Sequence, residues 1–123
     1  MSDLYQQLIL EAAENPQNVG QLTNANFLGA ESNASCGDDI QVWLTVDEST
    51  GVISDVAWQG QGCIISQAAM SELSERIKGQ TKQQIVEHTQ QDMLKLLGLE
   101  QISTGRINCL MLGLKAIKSA LSK

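Results

Sequence analysis

The spacing of apolar residues changes along the chain, and this change most constrains the fold. One segment has a period of two, which is typical of a strand that buries one face. Its apolar positions are Ile40, Val42, Leu44 and Val46. After Gly60-Gln61-Gly62-Cys63 the period becomes helical, with apolar positions at Ile65, Ala69, Leu73 and Ile77. A strand followed by an amphipathic helix predicts a sheet with helices packed on it.

Turn and strand signals flank the alternating segment. Residues Asp47 to Gly51 predict a hairpin turn, after which residues 52–58 continue as an antiparallel strand. Phe27 to Ala30 predict a short edge strand. On this arrangement Trp43 and Trp58 form a cross-strand pair or lie at the rim of the exposed face.

Helices are predicted at both ends of the chain. A first helix places Leu4, Leu8 and Ala12 on one face, and Asn15-Pro16 ends it because the residue before proline avoids the α region. A loop over residues 103–105 leads into a last helix. The inward positions of that helix are Ile107, Leu110, Met111, Leu114, Ile117 and Leu121.

Two short helices are predicted between these regions. Thr81 and Thr89 each precede a side-chain acceptor by three residues, the spacing of a capping box. The predicted fold is therefore α+β, a small antiparallel sheet of about three strands covered on one face by helices. We expect a single domain over residues 1–123.

The charge is unevenly distributed. The formal net charge is −6, and residues 1–75 contain no Lys or Arg. An acidic chain with few aromatic residues offers no phosphate-binding surface, so we expect no nucleic-acid partner. The first residues lack a signal-peptide pattern and no apolar run spans a bilayer, which predicts a cytoplasmic protein without membrane attachment.

Three cysteines occur at Cys36, Cys63 and Cys109. An odd number in a chain of this kind argues against a disulfide framework and favours reactive or metal-binding thiols. Cys63 directly precedes a predicted helix and Cys109 falls in the predicted first turn of another, so we expect a lowered pKa for both thiols. Together with the Asp38 carboxylate, the three cysteine thiolates make a tetrahedral set of four ligands for zinc or iron. The alternative is that the cysteines are buried and inert.

Several segments together resemble the iron-sulfur cluster assembly scaffolds, the group of NifU N-terminal domains, IscU and SufU proteins. The segments that carry the resemblance are Asn15-Pro16-Gln17-Asn18-Val19-Gly20, Cys36-Gly37-Asp38, Gly60-Gln61-Gly62-Cys63 with Ser66, residues 81–97, and Arg106-Ile107-Asn108-Cys109 with Met111-Leu112. Their order extends over nearly the whole chain.

The resemblance implies a scaffold that is not an enzyme. Such a protein accepts sulfur from a cysteine desulfurase, binds iron, assembles a transient [2Fe-2S] cluster and passes it to apo iron-sulfur proteins. Carried over by position, Cys36, Cys63 and Cys109 are the thiolate ligands and sulfur-acceptor candidates, and Asp38 is the exchangeable carboxylate ligand. Gly37, Gly62 and Arg106 support the site. A frataxin-like protein or another iron donor is a further implied partner.

Two positions depart from the IscU pattern. Asn108 stands where His or Lys usually precedes the last cysteine, and an amide is a poor metal ligand. The stretch Ile102-Ser103-Thr104-Gly105-Arg106 replaces the chaperone-recognition segment Leu-Pro-Pro-Val-Lys, so we do not expect chaperone-assisted release by that route. Arg106 resembles the SufU branch, although the interval between Cys63 and Cys109 is too short for the insertion typical of that branch.

Other functions remain open from the sequence. One alternative is a zinc-bound sulfur acceptor of the SufU kind, a sulfurtransferase that feeds another scaffold. A second is an enzyme with a cysteine nucleophile, for which His88 is the only imidazole base. A third is an interaction module with buried thiols.

Overall fold

The computed structural model describes residues 3–33 and 37–122, with side chains from residue 6 onward. In this part of the chain three strands and five helices follow one another. In chain order they are α1 (Asp3–Glu14), β1 (Phe27–Asn33), β2 (Asp38–Val46), β3 (Ile53–Gln61), α2 (Ile64–Ile77), α3 (Lys82–Val86), α4 (Gln90–Leu96) and α5 (Thr104–Leu121).

The strands form one antiparallel sheet in the order β1-β2-β3. The predicted inward face of β2 is confirmed, because Ile40, Val42, Leu44 and Val46 are all buried. Helices α2 and α5 pack against each other and cover this face. The predicted α+β fold is therefore confirmed, including the edge strand β1, which extends three residues beyond Ala30 to Asn33.

The predicted pairing of the two tryptophans is wrong. Trp58 is opposite Val42 in the sheet, whereas Trp43 is opposite Ala57. Because successive residues of a strand face opposite sides, the two indoles lie on different faces. Trp58 is 1% exposed in the core, and its Nε1 donates to the carbonyl oxygen of Gln17 at 2.8 Å.

The segment before β1 is attached to both the sheet and α2. Asn18 adopts a φ of 63°, its carbonyl accepts from the backbone N–H of Trp58 at 3.1 Å, and its Nδ2 donates to Ser74 Oγ at 2.9 Å. The backbone N–H of Gln17 donates to Ser71 Oγ at 2.8 Å. These bonds hold the Asn15–Gly20 segment along the β3 edge of the sheet.

The inward face of α2 matches the predicted spacing, since Ile65, Ala69, Leu73 and Ile77 are all buried. The predicted face of α1 is wrong in part. Leu8 is 50% exposed, whereas Ile9 and Ala12 are buried, because α1 packs on α2 with a face rotated by one position. Among the described residues no helix has both the length and the apolarity needed to cross a membrane.

The two predicted capping boxes are confirmed. Thr81 and Gln84 exchange hydrogen bonds at the start of α3, and Thr89 and Asp92 do so at the start of α4. Each box satisfies backbone N–H groups that the first helical turn leaves without intrahelical partners.

The start of α5 differs from the prediction. The helix begins at Thr104 rather than after Gly105, so Cys109 lies in the second turn and not the first. Further along, α5 crosses β1 closely: a Cβ on Gly29 would overlap the backbone oxygen of Ala116. This close contact fixes α5 across the sheet. Its N-terminal turns reach the end of the sheet where β2 begins.

Candidate metal centre

Three elements meet at one end of the sheet. In the antiparallel register Asp39 near the start of β2 is opposite Gln61, the last residue of β3. Asp38 therefore lies beside the chain that leaves β3 toward Cys63. Asp38 occupies the inward series of alternating positions on β2, and this places a carboxylate beneath the helical layer. Cys109 approaches the same point from α5.

The structure brings together three of the four predicted ligands. One ligand atom each of Asp38, Cys63 and Cys109 can be chosen so that all lie within 4.8 Å of one another. Cys36, the fourth predicted ligand, lies outside the described residues. The three atoms border an open cavity of about 590 Å³. Its lining residues are Gly37, Asp38, Gln61, Gly62, Cys63, Gly105, Arg106 and Cys109.

The Asp38 carboxylate is buried in an unusual way. The residue is 2% exposed, and its Oδ2 has no hydrogen-bond partner among the described residues. A buried polar atom without a partner is costly, and a bound metal ion is one group that can compensate it. A carboxylate beside two thiols provides a mixed oxygen and sulfur donor set that suits zinc or iron. The donor chemistry thus fits a bound metal ion.

The surroundings of the Cys63 thiol favour its ionised form. Cys63 is the N-cap residue of α2. Partial burial opposes ionisation, but interactions with the backbone N–H of Ser66, the Cys109 thiol and the Ser66 hydroxyl outweigh it and hold the pKa of Cys63 below its ordinary value. The predicted lowering of this pKa is confirmed.

The Cys109 thiol behaves in the opposite way, so the predicted lowering of its pKa is wrong. Burial, followed by the adjacent Cys63 thiol and the Asp38 carboxylate, raises the pKa of Cys109 well above its ordinary value. In the second turn the backbone N–H groups are already used within the helix and are not free to stabilise an anion. A metal ion that binds here must therefore displace the Cys109 proton.

Close packing around Gly62 holds the site together. A Cβ on Gly62 would overlap Ser66 Oγ and would lie 2.9 Å from Asp38 Oδ1. Ser66 itself is fully buried, and its Oγ donates to the carbonyl oxygen of Cys63 at 3.0 Å. Its spacing of three residues from Cys63 was the sequence signal for this contact, which was not predicted.

Two further candidates lie elsewhere. Asn108 lines a separate polar cavity with Glu31, Asn33 and Lys115, and the position before Cys109 does not line the thiol cavity. His88 Nε2 lies 2.9 Å from Gln80 Oε1, and His88 Nδ1 lies 3.5 Å from Asp92 Oδ2. No histidine lines the thiol cavity within the described ranges. The arrangement therefore gives a cysteine nucleophile no imidazole base.

Comparison with known proteins places the chain in a family. Residues 4–123 match the family model described as the NifU-like N terminal domain. The chain belongs to this family. It is 33% identical over 135 residues to the iron-sulfur cluster assembly scaffold protein IscU of Thermotoga maritima, with 98% of this chain and 94% of that protein covered. It is also 34% identical over 79 residues to the zinc-dependent sulfurtransferase SufU of Bacillus subtilis, with 64% and 52% covered.

Solved structures of family members share the fold. A NifU-like N-terminal protein from Brucella abortus superposes with a TM-score of 0.80 at 23% identity, over 98% of this chain and 93% of that one. A structure described as a putative iron-sulfur cluster assembly scaffold for the SUF system of Fervidobacterium islandicum gives a TM-score of 0.78 at 27% identity, over 98% and 96%. The helix-covered three-stranded sheet is thus the fold of the family.

Proposed function

We propose that this protein is an iron-sulfur cluster assembly scaffold. It accepts sulfur from a cysteine desulfurase, binds iron, assembles a transient [2Fe-2S] cluster and transfers it to apo iron-sulfur proteins. The observation that carries the proposal is the convergence of Asp38, Cys63 and Cys109 around a buried carboxylate oxygen that has no hydrogen-bond partner within residues 3–33 and 37–122. The scaffold relatives in the same family support it.

The proposed ligands have different tasks. Cys36, Cys63 and Cys109 hold the iron or the cluster as thiolates and are the candidates for sulfur acceptance. Asp38 supplies a harder and more exchangeable ligand, which lets the cluster leave. Gly37 and Gly62 give the backbone room around the site, and Arg106 lies at the exposed edge of the cavity.

Anaerobic reconstitution tests the function. The purified protein is incubated with iron, cysteine and a cysteine desulfurase, and visible absorbance and bound iron are measured. A scaffold develops sulfur-to-iron charge-transfer bands with iron bound in stoichiometric amounts. Absence of colour and of bound iron in the complete mixture would contradict the proposal.

Substitution of Asp38 tests the exchangeable ligand. We expect Asp38→Ala to keep its assembled cluster longer than the wild-type protein, read as slower loss of visible absorbance. Asp39→Ala is the matched control, because Asp39 accepts from Gln61 Nε2 at 3.3 Å and its position on β2 faces away from the core. Equal decay in Asp38→Ala and wild type would count against the role of Asp38.

A zinc-bound sulfur acceptor is the second candidate function. Arg106 lines the thiol cavity, and the family relative SufU is named a zinc-dependent sulfurtransferase. In that case one thiolate leaves the zinc to take up persulfide sulfur. Tightly held zinc, stimulation of the desulfurase and no colour on reconstitution would favour this function over the scaffold.

The partners follow from the proposed function. They are a cysteine desulfurase, apo iron-sulfur proteins and a frataxin-like or other iron donor, and we propose a cytoplasmic location for their encounter. Chaperone-assisted release through residues 102–106 is not part of the proposal, because the recognition segment of IscU proteins is absent from this stretch.

A further inference from the structure

The two edges of the sheet differ in what covers them. Beside β3 runs the Asn15–Gly20 segment, in which Val19 forms a parallel bridge with Trp58 and the backbone N–H of Gly20 donates to the Trp58 carbonyl oxygen at 2.9 Å. Within residues 3–33 and 37–122 no strand pairs with β1 on the side away from β2. The outer edge of β1 therefore presents backbone donors and acceptors that can pair with another strand.

The β1 edge has few of the features that prevent strand addition. Proteins protect exposed edges with proline, lysine, β-bulges or very short strands. β1 is seven residues long and contains no Pro, Lys or Arg, and its register with β2 is continuous from Phe27 to Asn33. Its one charged residue is Glu31. A strand that adds to this edge must therefore match a single negative charge.

A groove between β1 and α5 contains the matching positive charge. Its volume is about 210 Å³, and its lining residues are Glu31, Ser32, Asn33, Asn108, Leu112 and Lys115. In the described part of the chain neither Glu31 nor Lys115 belongs to an ion pair, so one acid and one base are available to a partner. A twofold interface between identical chains must be complementary to itself. A groove with one charge of each sign meets this condition.

We propose that the β1 edge binds a second copy of this chain, with the two β1 strands paired antiparallel about a twofold axis and each Glu31 facing the partner's Lys115. The pairing joins the two sheets into one continuous sheet. It is a case of strand addition, in which backbone hydrogen bonds provide affinity and the neighbouring side chains provide specificity.

The sequence of β1 selects the register of this pairing. A pairing centred on Glu31 would place two carboxylates directly opposite each other, which is destabilising. A pairing centred on Ala30 places Glu31 opposite the partner's Gly29. Gly29 packs against the backbone oxygen of Ala116, the residue that follows Lys115 on α5. The Ala30 register therefore brings each Glu31 to the turn of α5 that carries the partner's Lys115.

The interface is separate from the candidate metal centre. No residue of β1 lines the thiol cavity, and neither does Lys115. The inference therefore does not rest on the proposed function. Variants of the groove should bind metal as the wild-type protein does, so the two proposals fail independently.

Sedimentation velocity over a series of protein concentrations tests the dimer. We expect the full-length wild-type protein to change from monomer to dimer as its concentration rises. Glu31→Lys places a lysine on both sides of each contact and should raise the dimer dissociation constant about 10-fold. The double variant Glu31→Lys/Lys115→Glu restores opposite charges across the axis and should dimerise like the wild-type protein. Glu48→Lys is the matched control, because it makes the same charge change at an exposed position of the β2–β3 turn.

Hydrogen exchange of the wild-type protein locates the interface. Backbone amides of β1 should exchange more slowly at concentrations where the dimer predominates than where the monomer does, because the bonds between the two β1 strands exist only in the dimer. The amides of α2 are internal to each protomer, and their exchange should not differ in this way.

Three outcomes would overturn the inference. One is a wild-type protein that stays monomeric at every concentration, which would leave the edge to a segment of a different protein. Another is a dimer whose additional protection lies outside β1. The third is equal weakening by Glu31→Lys and Glu48→Lys, or a double variant that is folded by circular dichroism and does not regain dimerisation, since either result removes the charge pairing that defines the interface.

Discussion

The capped helices α3 and α4 and the candidate metal centre satisfy their polar groups in opposite ways. At both helix starts a threonine and a residue three positions later exchange hydrogen bonds, so the partners are supplied locally. At the candidate metal centre Asp38 Oδ2 is buried with no hydrogen-bond partner in the described part of the chain, and the thiols beside it come from distant parts of the chain. The local bonds stabilise the helix starts, whereas the buried carboxylate oxygen is available to a ligand at the proposed metal centre.

Gly62→Ala should have the largest effect at the candidate metal centre. The new methyl would collide with Ser66 Oγ and the Asp38 carboxylate, and therefore would displace two groups of the centre. We expect metal affinity to fall about 10- to 100-fold, as for other groups that orient ligands, and the free energy of unfolding to fall by about 1–3 kcal/mol. Metal competition against a chelator and urea unfolding measure the two effects.

Gly113→Ala is the control for overpacking alone. A Cβ there would lie 2.6 Å from Met70 Sδ in the core, and Gly113 does not line the thiol cavity. This variant should lose stability and keep its metal affinity. If both variants lose affinity in proportion to their loss of stability, then Gly62 has no particular role at the centre.

The pH dependence of metal binding is a second test of the difference between the capped helices and the candidate metal centre, and its expected effect is smaller. Burial and the neighbouring Cys63 and Asp38 raise the pKa of Cys109, so at neutral pH the metal-free protein retains this proton and binding must release it. Metal affinity should rise with pH, about tenfold per pH unit for each proton released. Co²⁺ titrations between about pH 6 and pH 8 measure the slope.

Removal of the Cys109 thiol is the control for this pH dependence of metal affinity. Cys109→Ala should bind more weakly, and its affinity should depend less steeply on pH by one proton. Identical slopes for Cys109→Ala and the wild-type protein would show that the released protons come from other groups.

The sequence predicts best what depends on local spacing. Apolar residues alternate in β2 and recur every four residues in α2, and Thr81 and Thr89 each begin a capping box. Each of these patterns specifies its local structure within a few residues. The rotation of α1 that buries Ile9 instead of Leu8 is not encoded in this way, because packing against α2 decides it. The opposite faces of Trp43 and Trp58 follow from the strand register, which the hairpin turn and the buried face set together.

At the candidate metal centre, too, some features depend on local sequence and others on long-range contacts. The position of Cys63 at the start of a helix was visible in the sequence. Against the effect of burial, the backbone N–H of Ser66 at that helix start lowers the pKa of Cys63 together with the Cys109 thiol and the Ser66 hydroxyl. The raised pKa of Cys109 was not visible, because it depends on the helix starting at Thr104 and on contacts with residues more than forty positions away. Convergence of Asp38, Cys63 and Cys109 requires the β2–β3 register and the crossing of α5 over β1.

Thr89→Ala tests the local side of the comparison. The substitution removes the acceptor for the backbone N–H of Asp92 at the start of α4, and loss of a cap typically costs about 1 kcal/mol of stability. We expect the urea midpoint to fall accordingly and the metal affinity to remain that of the wild-type protein. A change in metal affinity would mean that α4 and the centre are coupled, against the separation drawn above.

The smallest effect is expected from Asp92→Asn, which keeps an acceptor at this position and removes its charge. Hydrogen bonding to the backbone of Thr89 is the main cause that lowers the pKa of Asp92. A carboxylate with a folded-state pKa below its unfolded value stabilises the protein above the unfolded value of about 3.9, and this contribution is lost as the pH falls through the folded value. The difference in urea midpoint between neutral and acidic pH should therefore be smaller in Asp92→Asn than in the wild-type protein. Equal acid sensitivity of the two proteins would show that the charge of Asp92 adds nothing to a box that neutral hydrogen bonds already complete.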